Sequence, residues 1–213
     1  MLTAQIEHQL PQMTLDVDFT IKNEIAVLFG PSGSGKTTIL NAISGLIKLK
    51  NANVILNNNY LTKKGKSLVP IQHRKIGYVF QDYALFPHLT IWGNMKYGMK
   101  NEAYTMKLVH QLGLEKLLNQ YPHEVSGGEQ QRSALIRALA SEPELLLLDE
   151  PFSALDDKTK TLSYEQLLSI HERTEIPILL VSHNRSEVEF LADKIFYMED
   201  GKITRREDNK SKK

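Results

Sequence analysis

Eight residues near the start of the chain have the types and spacing for phosphate chemistry. Gly30, Pro31, Ser32, Gly33, Ser34, Gly35, Lys36 and Thr37 read G-x-x-x-x-G-K-T. An apolar run, Ile25 to Phe29, leads in, and a helical pattern, Thr38 to Ile43, leads out. The glycines let the backbone curl so that successive N–H groups point into one concavity. The helix that follows adds the positive end of its dipole. Lys36 then reaches the β- and γ-phosphates of a nucleotide, the Thr37 hydroxyl ligates magnesium, and Thr38 completes the phosphate-facing set.

Two further groups suit the same chemistry. Leu145 to Leu148 is a wholly apolar run of strand length that ends at Asp149-Glu150. An acidic residue at the carboxyl end of a strand beside the phosphate loop holds magnesium, commonly through water. The next carboxylate, Glu150, is placed to polarise an attacking water as general base. Ser126-Gly127-Gly128-Glu129-Gln130 stands about twenty residues upstream of this pair and opens a helical stretch, with Ser126 as its cap.

The elements that must position these groups alternate. Leu15, Val17 and Phe19 are apolar between polar neighbours, the period of a half-buried strand. A helix is expected from Lys36 to Leu46, a short strand from Asn53 to Asn57, and a solvated loop over 62–70. Ile76 to Phe80 reads as a strand ending at Gln81. Residues 82–120 carry helical spacing (Met106, Val109, Leu112) and form a mostly helical insertion. A helix over 126–141, buried strands at 145–148 and 178–181, helices over 158–173 and 184–192, and a hairpin around Asp200-Gly201 complete the order. Residues 205–213 are charged and read as a polar tail. Strands alternating with helices argue for an α/β fold with a largely parallel sheet.

Bulk properties narrow the class. The chain has 213 residues, 41% hydrophobic and 24% charged, with a net charge of +1. That suits one globular domain and offers no basic field for nucleic acid. There is no cysteine, so disulfides and thiolate-bound zinc are excluded. No secretory signal is read at the N-terminus, and no apolar run approaches the length that spans a bilayer. Work at a membrane therefore requires a membrane part from another chain.

Together these residues resemble the ATP-binding cassette (ABC) ATPases, and the resemblance covers almost the whole chain. Val125 and Glu129 stand where the family's L-S-G-G-Q signature has Leu and Gln. Gln81 matches the glutamine at the junction with the helical subdomain. Ser153-Ala154-Leu155-Asp156 matches the loop along the dimer interface, and His183 the histidine that senses γ-phosphate. The resemblance implies a P-loop NTPase with a mostly parallel central sheet, an antiparallel β subdomain and a helical subdomain inserted at about 82–140. It implies a single domain over 1–205, a tail over 206–213, and no C-terminal oxyanion-sensing domain. Many cassettes stack adenine on an aromatic residue in the N-terminal strands. Here Phe19 is assigned to the core, and adenine to an aliphatic contact near Leu10.

The resemblance further implies ATP and magnesium as ligands, the metal held by Thr37, Gln81 and Asp149. Two copies would pair head to tail as a homodimer, each site using residues 30–38 of one copy and Ser126, Gly127 and Gly128 of the other. Lys36, Gln81, Glu150 and His183 would be the catalytic set. The stretches Gly77 to Asp82, Leu85 to His88, Gly93-Asn94 and Tyr97 to Met99 are similar to ATPase subunits of bacterial importers, most of all those for molybdate. Sulfate, iron or polyamine importers are the alternatives. Such a subunit sits peripherally on the cytoplasmic face of the membrane, bound to integral permease subunits and acting indirectly with a solute-binding protein. Tyr83, Leu85, Phe86, Pro87 and Leu89 form the expected docking surface, with ordinary subdomain core as the competing reading. A chromosome-type cassette, a non-hydrolysing nucleotide-binding module and a metabolite kinase fit less of the pattern. About ninety residues without sustained heptads separate Lys36 from Ser126.

Overall fold

The computed structural model describes residues 1–209. Two antiparallel strands open the chain, β1 (Leu2–Gln9) and β2 (Thr14–Ile21), followed by β3 (Ile25–Phe29) and α1 (Lys36–Ser44). A small antiparallel group comes next: β4 (Asn51–Leu56), β5 (Asn59–Lys63) and β6 (Lys66–Ser67). Strand β7 (Ile76–Val79) leads into the helices α2 (Ile91–Lys96), α3 (Glu102–Gln111) and α4 (Gly127–Ala140). The last third runs β8 (Leu145–Asp149), α5 (Asp157–Thr174), β9 (Ile178–Ser182), α6 (Arg185–Leu191), β10 (Lys194–Glu199) and β11 (Lys202–Asp208).

All eleven strands join one sheet in the order β6-β5-β4-β1-β2-β11-β10-β3-β9-β8-β7. Strands β10, β3, β9, β8 and β7 are parallel neighbours, while β1, β2, β4, β5 and β6 pair antiparallel. The leucine run of β8 is buried along its whole length because both sheet faces are covered. Leu146 and Leu148 face one core with α3, α4, α5 and α6, and Leu145 and Leu147 face a second with α1 and the antiparallel strands. In β2 only every second residue is buried, so its sequence alternates.

Helix α1 stops at Gly45, which has φ 88° and donates its N–H to Ala42 and Asn41 carbonyls. A Cβ there would lie 2.6 Å from Cζ of Arg74, which is buried and donates to the Ile43 carbonyl at 2.7 Å. The cation thus closes the negative end of the helix dipole.

Two expectations of irregular chain are overturned. The stretch 62–70 contains the end of β5 and all of β6, a short hairpin whose turn uses Lys64 and Gly65 at positive φ. Its lysines are exposed, so the strand pairing leaves no apolar signal. Of the tail expected from 205–206 onward, residues up to Asp208 belong to β11, which pairs Ile195 with Glu207 and Lys194 with Asp208. That strand is held by its backbone ladder to β10 while most of its side chains meet solvent. The expected tail's last residues, 210–213, lie outside the described residues.

Candidate nucleotide-binding site

The loop between β3 and α1 is built around backbone positions that a side chain would spoil. Gly33 and Gly35 have φ of 83° and 97°, and no atom lies within 4 Å of a Cβ placed on Gly33. A Cβ on Gly30 would meet the Met198 carbonyl oxygen at 2.2 Å. The loop therefore opens into a cleft of about 290 Å³ lined by Met13, Ser32, Gly33, Gly35, Lys36, Thr37, Thr38, Gln81 and Glu150. Ser34 contributes a buried hydroxyl that has no hydrogen-bond partner.

Lys36 folds over the loop and donates to the carbonyls of Gly30 and Pro31 at 2.8 and 2.7 Å. Burial pushes its pKa down, opposed by the charges of Glu150 and Asp149. Thr37 donates its hydroxyl to Asp149 Oδ1 at 3.0 Å. Burial raises the Asp149 pKa, and the Glu150 charge adds to that, against the hydrogen bond from Thr37 and the Lys36 charge. A cation placed there would relieve two crowded carboxylates.

These residues fit both expected ligands. An unpartnered buried hydroxyl, open glycine backbone and a helix N-terminus suit phosphate oxygens. Thr37, Asp149 and Gln81 offer oxygen donors to a hard cation such as magnesium. Among the described residues no group of three or more His, Cys, Asp and Glu could hold a metal. A magnesium ion here would take its remaining ligands from phosphate and water.

Glu150 follows β8 at φ 45°, a left-handed conformation uncommon for a residue with a side chain. Its carbonyl accepts from the N–H and hydroxyl of Ser153, and its own N–H donates to the Val181 carbonyl. Glu150 Oε1 lies 3.1 Å from His183 Nδ1. Glu150 also lines a second, smaller cavity with Ser153, Lys160, Ser182, His183, Asn184 and Glu187.

Ser126, Gly127 and Gly128 are not brought to this cleft within one copy. Ser126 caps α4, and Glu129 Oε2 accepts from its N–H and its hydroxyl, each at 2.7 Å. A Cβ on Gly128 would lie 2.8 Å from Thr159 Cγ2, so the signature packs on the start of α5.

Several site residues were not singled out from sequence. Met13 lines the cleft and stands 3.9 Å from a Cβ built on Gly35, whereas Leu10, where the aliphatic contact was expected, packs on the core. The turn that places Met13 is closed by the Leu10 N–H donating to the Met13 carbonyl, a contact with no sequence signal beyond Pro11. Tyr78 donates to Asn41 Oδ1 at 3.0 Å, and burial and the nearby Asp149 charge raise its pKa. Phe19 is in the core, tilted against Phe196.

The expected docking group divides. Tyr83 is buried in the core and Leu85 packs on it, while Phe86 is half-buried and Pro87 exposed. Phe86 contacts the ring of Tyr97, which is 73% exposed. The loop under them is fixed by Asn94, fully buried, whose amide accepts from the Phe86 N–H and donates to the carbonyls of Phe86, Leu89 and Thr90.

A family model described as "ABC transporter" matches residues 14–153. The chain is 42% identical over 205 residues to "Molybdenum import ATP-binding protein ModC" of Haemophilus influenzae, covering 94% of this chain and 58% of that protein. It is 40% identical over 211 residues to "Molybdate/tungstate import ATP-binding protein WtpC" of Archaeoglobus fulgidus, covering 96% and 86%. The chain thus spans less than two thirds of the ModC relative's length. Among solved structures, a dimeric ATP-binding cassette, MJ0796, bound to ADP and Pi is similar at a TM-score of 0.83 and 28% identity, covering 99% of this chain and all of that one. The loop after β3, the acidic end of β8, the start of α4 and the histidine after β9 stand on the fold shared with such cassettes, and the chain belongs to the ABC transporter family of ATP-binding proteins.

Proposed function

We propose that this chain binds and hydrolyses ATP and powers an importer for molybdate or tungstate. The observation that carries the hydrolysis reading is the place of Glu150. Its carboxylate faces the phosphate-loop cleft on one side and His183 at 3.1 Å on the other. A water held against Glu150 would lose its proton to that carboxylate as its oxygen bonds the γ-phosphorus and the bond from that phosphorus to the β–γ bridging oxygen breaks, leaving ADP and phosphate. Lys36 and the loop N–H groups offset the charge on the phosphate oxygens. Magnesium, when held by Thr37, Gln81 and Asp149, supplies further charge neutralisation. His183 orients the Glu150 side and contacts the γ-phosphate.

Ser126, Gly127 and Gly128 lie outside this cleft, so one copy neutralises charge from one side only. Two copies pairing head to tail would bring the α4 N-terminus of each to the nucleotide of the other. The dimeric cassette of similar fold supports this arrangement. Import of molybdate or tungstate rests on the names of the two relatives. No helix among the described residues is long and apolar enough to cross a membrane. Membrane-spanning permease subunits would supply the pore and a solute-binding protein the substrate. The chain would then sit peripherally on the cytoplasmic face, docking through Phe86, Pro87 and Tyr97. Residues 82–140 act as the helical subdomain that carries both this surface and the signature.

Steady-state ATP hydrolysis by the purified chain tests the first part. Turnover that falls about 10²–10⁴-fold in Glu150→Gln, with ATP still bound, is the expected result. Turnover unaffected by that change would remove Glu150 from the reaction. Oxyanion uptake by cells that depend on this chain tests the second, with sulfate uptake as the outcome that would redirect it.

A further inference from the structure

A buried carboxylate beside the catalytic pair has no part in the chemistry described so far. Glu187, in the first turn of α6, is only 4% exposed. Its pKa is raised, with desolvation as the largest cause, so the fold bears a cost to keep it. An apolar side chain would fill a buried helix position without that cost.

The partners of Glu187 show what it holds. The Ser182 hydroxyl donates to Glu187 Oε2 at 2.6 Å. The same hydroxyl oxygen accepts the Asn184 N–H at 2.9 Å. Residues 182–184 are thus braced on both sides of His183. Tyr164, on α5, is raised in pKa by burial and by the neighbouring Glu187 charge. The Tyr164 ring stands edge-on to Phe152 at 4.8 Å, and Phe152 lies two residues after Glu150. One carboxylate therefore holds the His183 half of the His183–Glu150 contact through Ser182, and stands beside Tyr164, whose ring packs on Phe152 near Glu150. Glu187, Ser182, His183, Glu150 and Lys160 also line one cavity of about 70 Å³, room for about two waters.

We infer that Glu187 is a positioning residue for ATP hydrolysis, bracing the 182–184 turn so that His183 stays aligned with Glu150. The inference rests on the hydrolysis reading above. Glu187 touches no nucleotide; it acts through His183.

A double-mutant cycle separates this role from general stabilisation. Single-turnover hydrolysis at saturating ATP is measured for the wild type, Glu187→Ala, His183→Ala and the double variant. Glu187→Ala is expected to slow the chemical step about tenfold while ATP affinity stays within about twofold. In the His183→Ala background the same change is expected to cost less than about twofold. Glu187→Gln keeps an acceptor oxygen for Ser182 and should restore most of the rate. Ser182→Ala, a milder change, should repeat the pattern and carries the test if Glu187→Ala fails to fold. The imidazole NMR resonances of His183 should shift in both variants. Equal losses with and without His183, or unchanged His183 resonances, would overturn the inference while leaving hydrolysis intact. Absence of turnover in the wild type would instead overturn the hydrolysis reading on which it stands.

Discussion

Met13 lines the cleft beside Gly35, and among the described residues no aromatic side chain lines that cleft with it. Its thioether reaches the rim of the cleft over Gly35. A flexible, polarisable chain packs on a flat base but loses more rotamer freedom than a ring does. Met13→Phe should therefore tighten nucleotide binding, by about 2- to 10-fold if a stacked ring adds roughly 0.5–1.5 kcal/mol. Titration with a fluorescent ATP analogue reads this directly; unchanged affinity would mean the base does not lie there. The make-up of the candidate site is largely legible from type and spacing. The phosphate loop is short and contiguous, so one stretch of sequence holds its whole geometry. Met13 and Glu187 are not legible in that way. Met13 reaches the cleft through a turn between β1 and β2, and Glu187 is one more acidic residue in a helix until its burial is known. The left-handed φ of Glu150 is likewise a property of the chain around it, held by Ser153 and Val181.

Helix α4 begins at Ser126, Gly127 and Gly128, and its two ends are held differently. At the N-terminus, Glu129 closes a capping box with Ser126. Hydrogen bonds from the Ser126 hydroxyl and N–H hold the Glu129 pKa below its ordinary 4.5. A carboxyl with a depressed folded pKa contributes stability that is full above the unfolded value. That stability is lost as pH falls through the folded one. Wild-type stability should thus drop more than that of Glu129→Gln when pH is lowered from 7 toward 3. Denaturant unfolding at several pH values measures the difference, and parallel acid limbs would show that the cap does not titrate. Toward the C-terminus, Arg137 donates to the carbonyls of Tyr83 and Ala84, both at positive φ, and lies over the Phe86 ring. Elements such as α4 and β8 were visible in sequence because periodicity and apolar runs report burial. The β5–β6 hairpin and the last residues of β11 were not. Their stability comes from backbone ladders that leave the side chains in water, and side chains are all that a pattern records.

For the whole chain, α4 links Ser126, at its N-terminus, to the 83–86 segment that Arg137 holds. Ser126 stands at one end of this single rigid helix. Arg137, near the other, grips the 83–86 segment that presents Phe86 toward Tyr97. Closure around ATP would move that segment with the signature, giving binding energy a route to a docked permease. Phe86→Asp should accordingly abolish transport-coupled stimulation of hydrolysis while leaving the basal rate of the isolated chain within about twofold, since Phe86 touches no nucleotide-facing residue. Transport and ATPase assays on reconstituted membranes check both arms; a lost basal rate would assign Phe86 to the fold instead. In the proposed pair, the catalytic site is completed only between two copies, and sedimentation of Glu150→Gln with and without ATP and magnesium tests this. A monomer that becomes a dimer with ATP, and fails to when Ser126→Arg is added, is the predicted result. A chain that binds ATP and stays monomeric at high concentration would contradict it.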